Sequence, residues 1–306
     1  MNPTERLIKS INLILKEDEE DIADDLPDDL PGADELQSFI DEFEKKIAKL
    51  LREQKKYYVD AIKAYGEKDD IVDEELLSYL IDDLFANDKF IEKMQSLTNE
   101  TFIAVVSLMS AIIMDAIDSD IPFEEMSSGT EQDISEWSNQ LAIYMNETTS
   151  KALEKEVTSA ADEGKTIAAV LIVIKGLSVF ERRRAANIAI DEILTAFSMG
   201  QQESYLQSPA VEKKKWLHTA GTKHPRQNHI QMSGTIVPVD EVFHIAGSSE
   251  TCMYPRDGNL SPKERRNCQC VSVPVINDEI IRMSKTDKES LRQDFLNRSV
   301  DITNKE

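Results

Sequence analysis

Every histidine and cysteine of the 306-residue chain falls in one window: His218, His224, His229, His244, Cys252, Cys268 and Cys270. Cysteine thiolates and imidazoles are the usual ligands of a tetrahedral Zn²⁺. His229, Cys268 and Cys270 are the first three candidates here, with Cys252 as the fourth. Four protein ligands would close such a site and make it structural rather than catalytic. The Cys-x₂-Cys knuckle is absent, and Cys268-x-Cys270 is a tighter bite. A metal-free, hydrogen-bonded loop core accounts for the same residues, so no cofactor is required and a structural zinc is the one candidate. A His-Asn-His metal nuclease is a weaker match, because no His pair is followed by the strand, Asn and helical His it needs. A Cys-His nucleophile finds a base and a thiol but no third, orienting group. No glycine-rich phosphate loop is present. The expectation is a protein that is not an enzyme.

The elements around these residues read as a small α+β unit. GTIVPVDEVF (234–243) and CVSVPVI (270–276) are β-branched and interrupted by Pro, the pattern of short edge strands. GSSE, YPRDGN and SPKER read as loops. A closing helix is expected over 278–297, with Ile280, Ile281, Leu291 and Phe295 as its apolar positions. So small a unit buries little core and often needs a staple. Arg226 and Asp257 can pair across its loops, and His229 can bond a backbone carbonyl or a thiolate.

Upstream the chain is helical and acidic. Residues 1–205 carry 45 acidic and 20 basic side chains, against 13 and 15 in 206–306. Six of ten prolines fall between Pro209 and Pro274, so charge and punctuation both place a boundary near 200–210. The fold class is therefore α+β: a long, mainly helical body over 1–205, a small module with short strands over 206–276, and a closing helix and tail over 277–306. Within the body, 17–35 holds eleven acidic residues, no basic one, and Pro27 and Pro31. It reads as a solvated linker or as an arm for a basic partner. Helical spacing predicts helices at Leu7–Leu15, from Leu36 to about Tyr65, and over 73–86, 88–118, 131–162 and 165–199. Phe102–Met114 is apolar but shorter than a membrane span, so it is expected as a core helix buried on most sides and no membrane partner is expected.

A net charge of −23 disfavours general binding to nucleic acid. Three local exceptions, ERRR (181–184), KKK (213–215) and KERR (263–266), are either solvated faces or contacts to DNA phosphates or an acidic protein. Three cysteines do not make a disulfide framework, and a reducing compartment fits. The N-terminus turns acidic before any continuous apolar stretch, so no signal peptide is expected.

The order RRAANIAIDEI (183–193), KKKWLHTAGTKHPRQNHIQMSG (213–234), DEVF (240–243), MYPRDG (253–258) and NCQC (267–270) resembles the phage Mu F-like head morphogenesis family, the minor head proteins of tailed phages. The matching positions are Arg184, Ala185, Ile188, Ala189, Glu192, Trp216, Arg226, His229, Gly234, Phe243, Tyr254, Pro255, Asp257, Asn267, Cys268 and Cys270. The motif begins on a helix at about 181. Gln269 stands where the family usually has Arg and Asp191 where Thr is common, and His218, His224 and Cys252 lie outside the motif. The resemblance implies a structural minor capsid protein made in the bacterial host cytoplasm and carried in the virion, in the capsid interior near the portal. Its implied partners are the portal protein and the scaffold, in procapsid assembly and in DNA packaging or ejection. The alternative is a metal-dependent nuclease or other effector delivered with phage DNA. Some relatives carry toxin domains after this module, and the roughly 30 residues that follow it here are too few for one.

Overall fold

The computed structural model describes residues 33–67, 70–218, 225–268 and 270–293. The helix expected at Leu7–Leu15, most of the acidic linker, His224, Gln269 and the end of the closing helix lie outside the described residues. The fold is α+β: long helices come first, then a small sheet with short strands and a closing helix. In order these are α1 (Ala33–Tyr65), α2 (Glu74–Tyr79), a π-turn (Leu80–Leu84), α3 (Phe85–Asn87), α4 (Phe90–Ile117), α5 (Ser128–Asp162), α6 (Ile167–Lys175) and α7 (Arg182–Gln207). There follow β1 (Val211–Leu217), α8 (Gln227–Met232), β2 (Ile236–Pro238), β3 (Phe243–His244), β4 (Thr251–Cys252), α9 (Pro262–Arg265), β5 (Val271–Ile276), α10 (Asp278–Ile281) and α11 (285–293).

The chain divides into two compact units. One combines Ile40–Thr101 with Gln132–Ile190. Its core packs Tyr58 and Ile62 of α1 with Leu76, Leu80, Leu84, Leu153, Val157, Val170 and Ile174. Several polar groups inside it are paired. The Gln54 amide donates to Asp88 at 2.6 Å and to Asn146 at 2.8 Å, and Tyr58 Oη donates to Asp88 at 2.8 Å. Asp88 also accepts the Phe90 N–H at 3.0 Å, which satisfies an orphan donor at the start of α4. Here too sits Arg184, whose guanidinium donates to Val179 O, Thr149 Oγ1 and Met145 O.

The other unit combines Phe102–Glu131 with the described residues from Asp191 onward. The second half of α7 is its organising element. The expected helix over 165–199 is instead two, α6 and α7, separated by Gly176–Glu181, and α7 runs on through Gly200 to Gln207. Gly200 is therefore not a helix end. A Cβ there would lie 3.1 Å from Met109 Cβ and 3.1 Å from Val106 O, so α4 and α7 approach too closely for a side chain. Ser110 Oγ adds a bond to Gly200 O at 3.1 Å. Gly200→Ala gains ~1 kcal/mol of helix propensity, yet the backbone contact is expected to outweigh it and leave a net loss of ~1–2 kcal/mol in urea denaturation.

Past Gly200 the helix presents polar side chains to the sheet. Gln201 and Tyr205 donate to Ser272 O at 3.2 and 3.1 Å, and Gln202 donates to Val239 O at 2.8 Å. Glu203 faces the other way. Its carboxylate accepts from Ser127 N, Ser127 Oγ, Thr130 Oγ1 and Gln207 Nε2 at 2.6–2.8 Å, and so caps the start of α5.

The sheet is three-stranded and antiparallel, in the order β2-β1-β5, beside a β3-β4 pair. β5 is the edge strand expected, β2 falls within the predicted 234–243 segment, and β3 begins on its last residue. The central strand, β1, is the one the sequence hid. Its KKK run reads as a charged face, but Lys214 alternates inward with Trp216, and both are fully buried. The closing helix also differs, being α10 and α11 with a break at Met283–Ser284. Ser284 caps α11 by accepting the Asp287 N–H at 3.2 Å. Rather than an apolar stripe, Lys288 and Arg292 anchor α11. Lys288 pairs with Asp118 and Asp120 at 2.7 and 2.8 Å, and Arg292 donates to Gln207 at 2.7 Å.

The apolar stretch of α4 is less enclosed than expected. Val105, Val106, Met109 and Ile113 are buried, while Ile103 and Leu108 are exposed on the opposite face. The run Glu74–Ile117 is long and apolar enough to cross a membrane by composition, with 39% of its most apolar window buried.

Candidate functional site

The sulfur–imidazole cluster is built by three local devices. First, α8 carries His229 and ends at Met232. Gly234, at φ +92°, then turns the chain back so that Gly234 N donates to Trp216 O and Trp216 N to Thr235 O, at 2.8 and 2.9 Å. A positive φ favours Gly, which is why a side chain is disfavoured there. Second, Pro262 opens α9, whose Glu264 faces back toward His229. Third, Asn267 takes φ +52°, a conformation Asn tolerates, and sets Cys268 and Cys270 on either side of the bend into β5. The Asn267 N–H donates to Asp191 at 3.0 Å.

His229, Cys268 and Cys270 converge. Each is 1% exposed, and the ligand atoms all lie within 4.8 Å of one another. His229 Nδ1 is 3.5 Å from both sulfurs, and Nε2 is 3.0 Å from Glu264 Oε2. Since a carboxylate accepts, the network assigns the proton to Nε2 and leaves the Nδ1 lone pair toward the sulfurs. Asn228 Nδ2 donates to the same Glu264 oxygen at 3.0 Å. Trp216 stands edge-on to His229 and to Phe243, with ring centroids 5.4 and 5.3 Å away. Donation from Cys270 holds the Cys268 thiol well below the usual thiol range, and the Arg256 guanidinium acts in the same direction.

Cys252 lies outside this group. It sits on β4 opposite Phe243, and burial pushes its thiol up. His218, at the end of β1, does approach, with Nδ1 3.5 Å from Cys270 Sγ.

Arg226 and Asp257 do not pair. Arg226 donates to Lys263 O at 2.7 Å and Arg266 O at 2.6 Å, tying the entry of α8 to α9. Asp257 accepts the N–H groups of Met253 and Asn259 at 2.7 and 2.9 Å, closing the Tyr254–Pro255 turn on itself. Backbone groups satisfy both: carbonyl acceptors of α9 and its C-cap take the Arg226 guanidinium, and nearby N–H donors take the Asp257 carboxylate. The residue between Pro255 and Asp257 matters more than the motif implied. Arg256 is 1% exposed at φ +70°, and its guanidinium donates to Leu194 O, Ser198 Oγ, Cys268 O and Cys270 O at 2.7–3.1 Å. Glu192 pairs with Arg265 at 2.9 Å, both buried.

Each basic cluster thus splits. Arg184, Lys214 and Arg265 point into the protein, while Arg183, Lys213, Lys263 and Arg266 are exposed. Lys214 Nζ donates to Met253 O at 2.8 Å and Gln202 Oε1 at 3.1 Å, which matches the two hydrogens of a neutral amine. Burial pushes its ammonium down to about 8, against ~10.4 in an unfolded chain. Between these values the unfolded chain holds a proton that the folded chain has released. Stability from this site therefore rises as pH goes from about 8 to about 10, and the penalty is complete below that window. Relative to Lys214→Met, the native chain is expected to gain ~2–3 kcal/mol between pH ~7.5 and ~10 in paired urea titrations. A pH-independent difference would contradict a buried, depressed Lys214.

Residues 151–273 match the family model described as Phage Mu protein F like protein. Uncharacterized protein YqbB of Bacillus subtilis (strain 168) is 41% identical over 301 residues, covering 97% of this chain and 99% of its own. The chain belongs to the phage Mu F-like family. The Mu F-like match spans the motif helix, β1 and most of β5, and its range takes in the cluster, Arg256 and the Glu192–Arg265 pair. The NAD(+)–arginine ADP-ribosyltransferase EFV of Enterococcus faecalis is 31% identical over 156 residues, half of this chain but 31% of that protein. No solved structure matches.

Proposed function

We propose that this head morphogenesis protein is a minor capsid component of a tailed phage, carried inside the head and bound to the portal. In that place it supports procapsid assembly and the packaging or ejection of DNA, with the scaffold as a second partner during assembly. One observation carries the reading. The family's motif residues are spent on internal architecture, with His229, Cys268 and Cys270 each 1% exposed, and a closed cluster admits no substrate. An acidic body faces packaged DNA without gripping it, because like charges repel. Exposed cations such as Lys213, Lys263 and Arg266 supply local phosphate contacts. The exposed apolar residues of α4, Ile103 and Leu108, are the kind of surface a protein partner covers.

The similarity to EFV favours a second reading, an effector delivered with phage DNA. On the first reading the stretch shared with EFV is a head-assembly module and the chain is not an enzyme. Quantitative mass spectrometry of purified heads separates the two. The chain is expected in filled heads at far lower copy number than the shell protein, and its deletion is expected to leave heads malformed or empty. Normal infectious heads from the deletion, or NAD⁺ hydrolysis or nuclease activity by the purified chain, would overturn the structural reading.

A further inference from the structure

We propose that Cys268, Cys270, His229 and His218 bind one Zn²⁺ in a closed structural site. The argument starts from distances. Ligands at ~2.3 Å for sulfur and ~2.0–2.1 Å for nitrogen, held tetrahedrally, stand about 3.5–3.8 Å from one another. His229 Nδ1 lies 3.5 Å from Cys268 Sγ and 3.5 Å from Cys270 Sγ, both edges of such a tetrahedron. The His229 tautomer is the ligating one, with Nδ1 unprotonated toward the sulfurs and Nε2–H held by Glu264 at 3.0 Å. A carboxylate behind the imidazole is the usual outer partner of a zinc histidine, fixing ring orientation and raising basicity. Glu264 is itself held by Asn228 at 3.0 Å.

The fourth ligand is His218 rather than Cys252. His218 Nδ1 already lies 3.5 Å from Cys270 Sγ, giving a third edge of the right length. It stands outside the tight group of three and is half-buried just past the end of β1; in the proposed site its side chain turns to the open vertex when the metal binds. Its backbone is fixed there by the Ser233 hydroxyl, which accepts its N–H at 3.1 Å.

Charge closes the case. Two thiolates cancel Zn²⁺, and the two further charges around the site are of opposite sign: the Glu264 carboxylate behind His229 and the Arg256 guanidinium, which binds the carbonyls of Cys268 and Cys270 at 2.7 and 3.0 Å. The buried assembly is then neutral, as burial of charge demands. Four protein ligands leave no open position, so the metal has a folding role and activates no water.

The test uses the full chain, purified under reducing conditions without a polyhistidine tag. Elemental analysis is expected to find one zinc per chain. Co²⁺ added to the metal-stripped chain is expected to give the intense visible bands of tetrahedral coordination together with sulfur-to-cobalt charge transfer. His218→Ala is expected to weaken binding at least tenfold with both sulfur contacts kept, and Glu264→Gln to weaken it 10–100-fold without changing the spectrum. The double change Cys268→Ser with Cys270→Ser removes the charge-transfer band. Should that double variant fail to fold, the native-chain cobalt spectrum alone decides between sulfur ligation and none. A native chain that takes up neither zinc nor Co²⁺ overturns the site. Unchanged affinity in His218→Ala overturns the fourth ligand.

Discussion

Arg256→Met is expected to cost the protein about 4 kcal/mol or more, the largest loss of any single replacement considered. The side chain it removes is an internal cross-tie. Its donors reach Leu194 O and Ser198 Oγ on α7, and Cys268 O and Cys270 O on either side of the sulfur bend. Methionine fills much of the volume but leaves these acceptors buried without donors, and each orphan costs ~1–3 kcal/mol. Arg256→Lys should recover little, because one ammonium cannot match a planar fork that reaches several acceptors. The backbone adds a signature. Arg256 sits at φ +70°, a strain of ~1 kcal/mol or more for a non-glycine residue, tolerated because the four hydrogen bonds fix it. Arg183→Met, on the exposed face of α7, should change stability by less than ~0.5 kcal/mol. Equilibrium urea denaturation of the three variants checks the ranking, and a mild Arg256→Met would contradict the cross-tie.

Glu192→Ala is expected to cost ~3–5 kcal/mol, because it breaks a buried ion pair by removing the carboxylate 2.9 Å from Arg265. The pair stands at 2.9 Å with both side chains almost fully buried, and it ties α7 to α9 just ahead of the sulfur bend. The loss belongs to the broken pair and not to either charge alone. The double change Glu192→Met with Arg265→Leu should therefore recover most of it, since a buried ion pair replaced by apolar groups is often neutral. A double-mutant cycle reads this directly, and additive losses would contradict a coupled pair.

These two residues show where sequence reading stops. The helices of the acidic body were legible because their apolar positions repeat locally: Phe43, Ile47 and Leu51 recur on one face of α1 whatever they touch. The convergence of His229, Cys268 and Cys270 was legible from residue type and from the family motif. Arg256 was not, because it sits in a loop motif as an unremarkable residue between Pro255 and Asp257. Its importance comes from acceptors 12 to 62 residues away. The same holds for Lys214. A run of three lysines looks solvated until Gln202 and the Met253 carbonyl are seen to receive the middle one, and only then does VEKKKWL alternate as a central strand. One signal was available: the alternation of Val211, Lys214 and Trp216 is broken by the bulge between Val211 and Lys213, which conceals the period. Gly200 misled for a related reason. Glycine in a helical pattern reads as a stop, whereas here it marks where Val106 and Met109 come close.

The central claim is that this Mu F-like chain works by assembling with the phage head at its portal. Co-expression with the portal protein of the same phage, followed by gradient sedimentation at low and moderate salt, tests that claim most directly. The chain is expected to migrate with portal oligomers at low salt, and the exposed cations or the acidic segment over 17–35 would be implicated if moderate salt releases it. A chain that sediments alone at every salt, beside intact portal oligomers, would contradict the account.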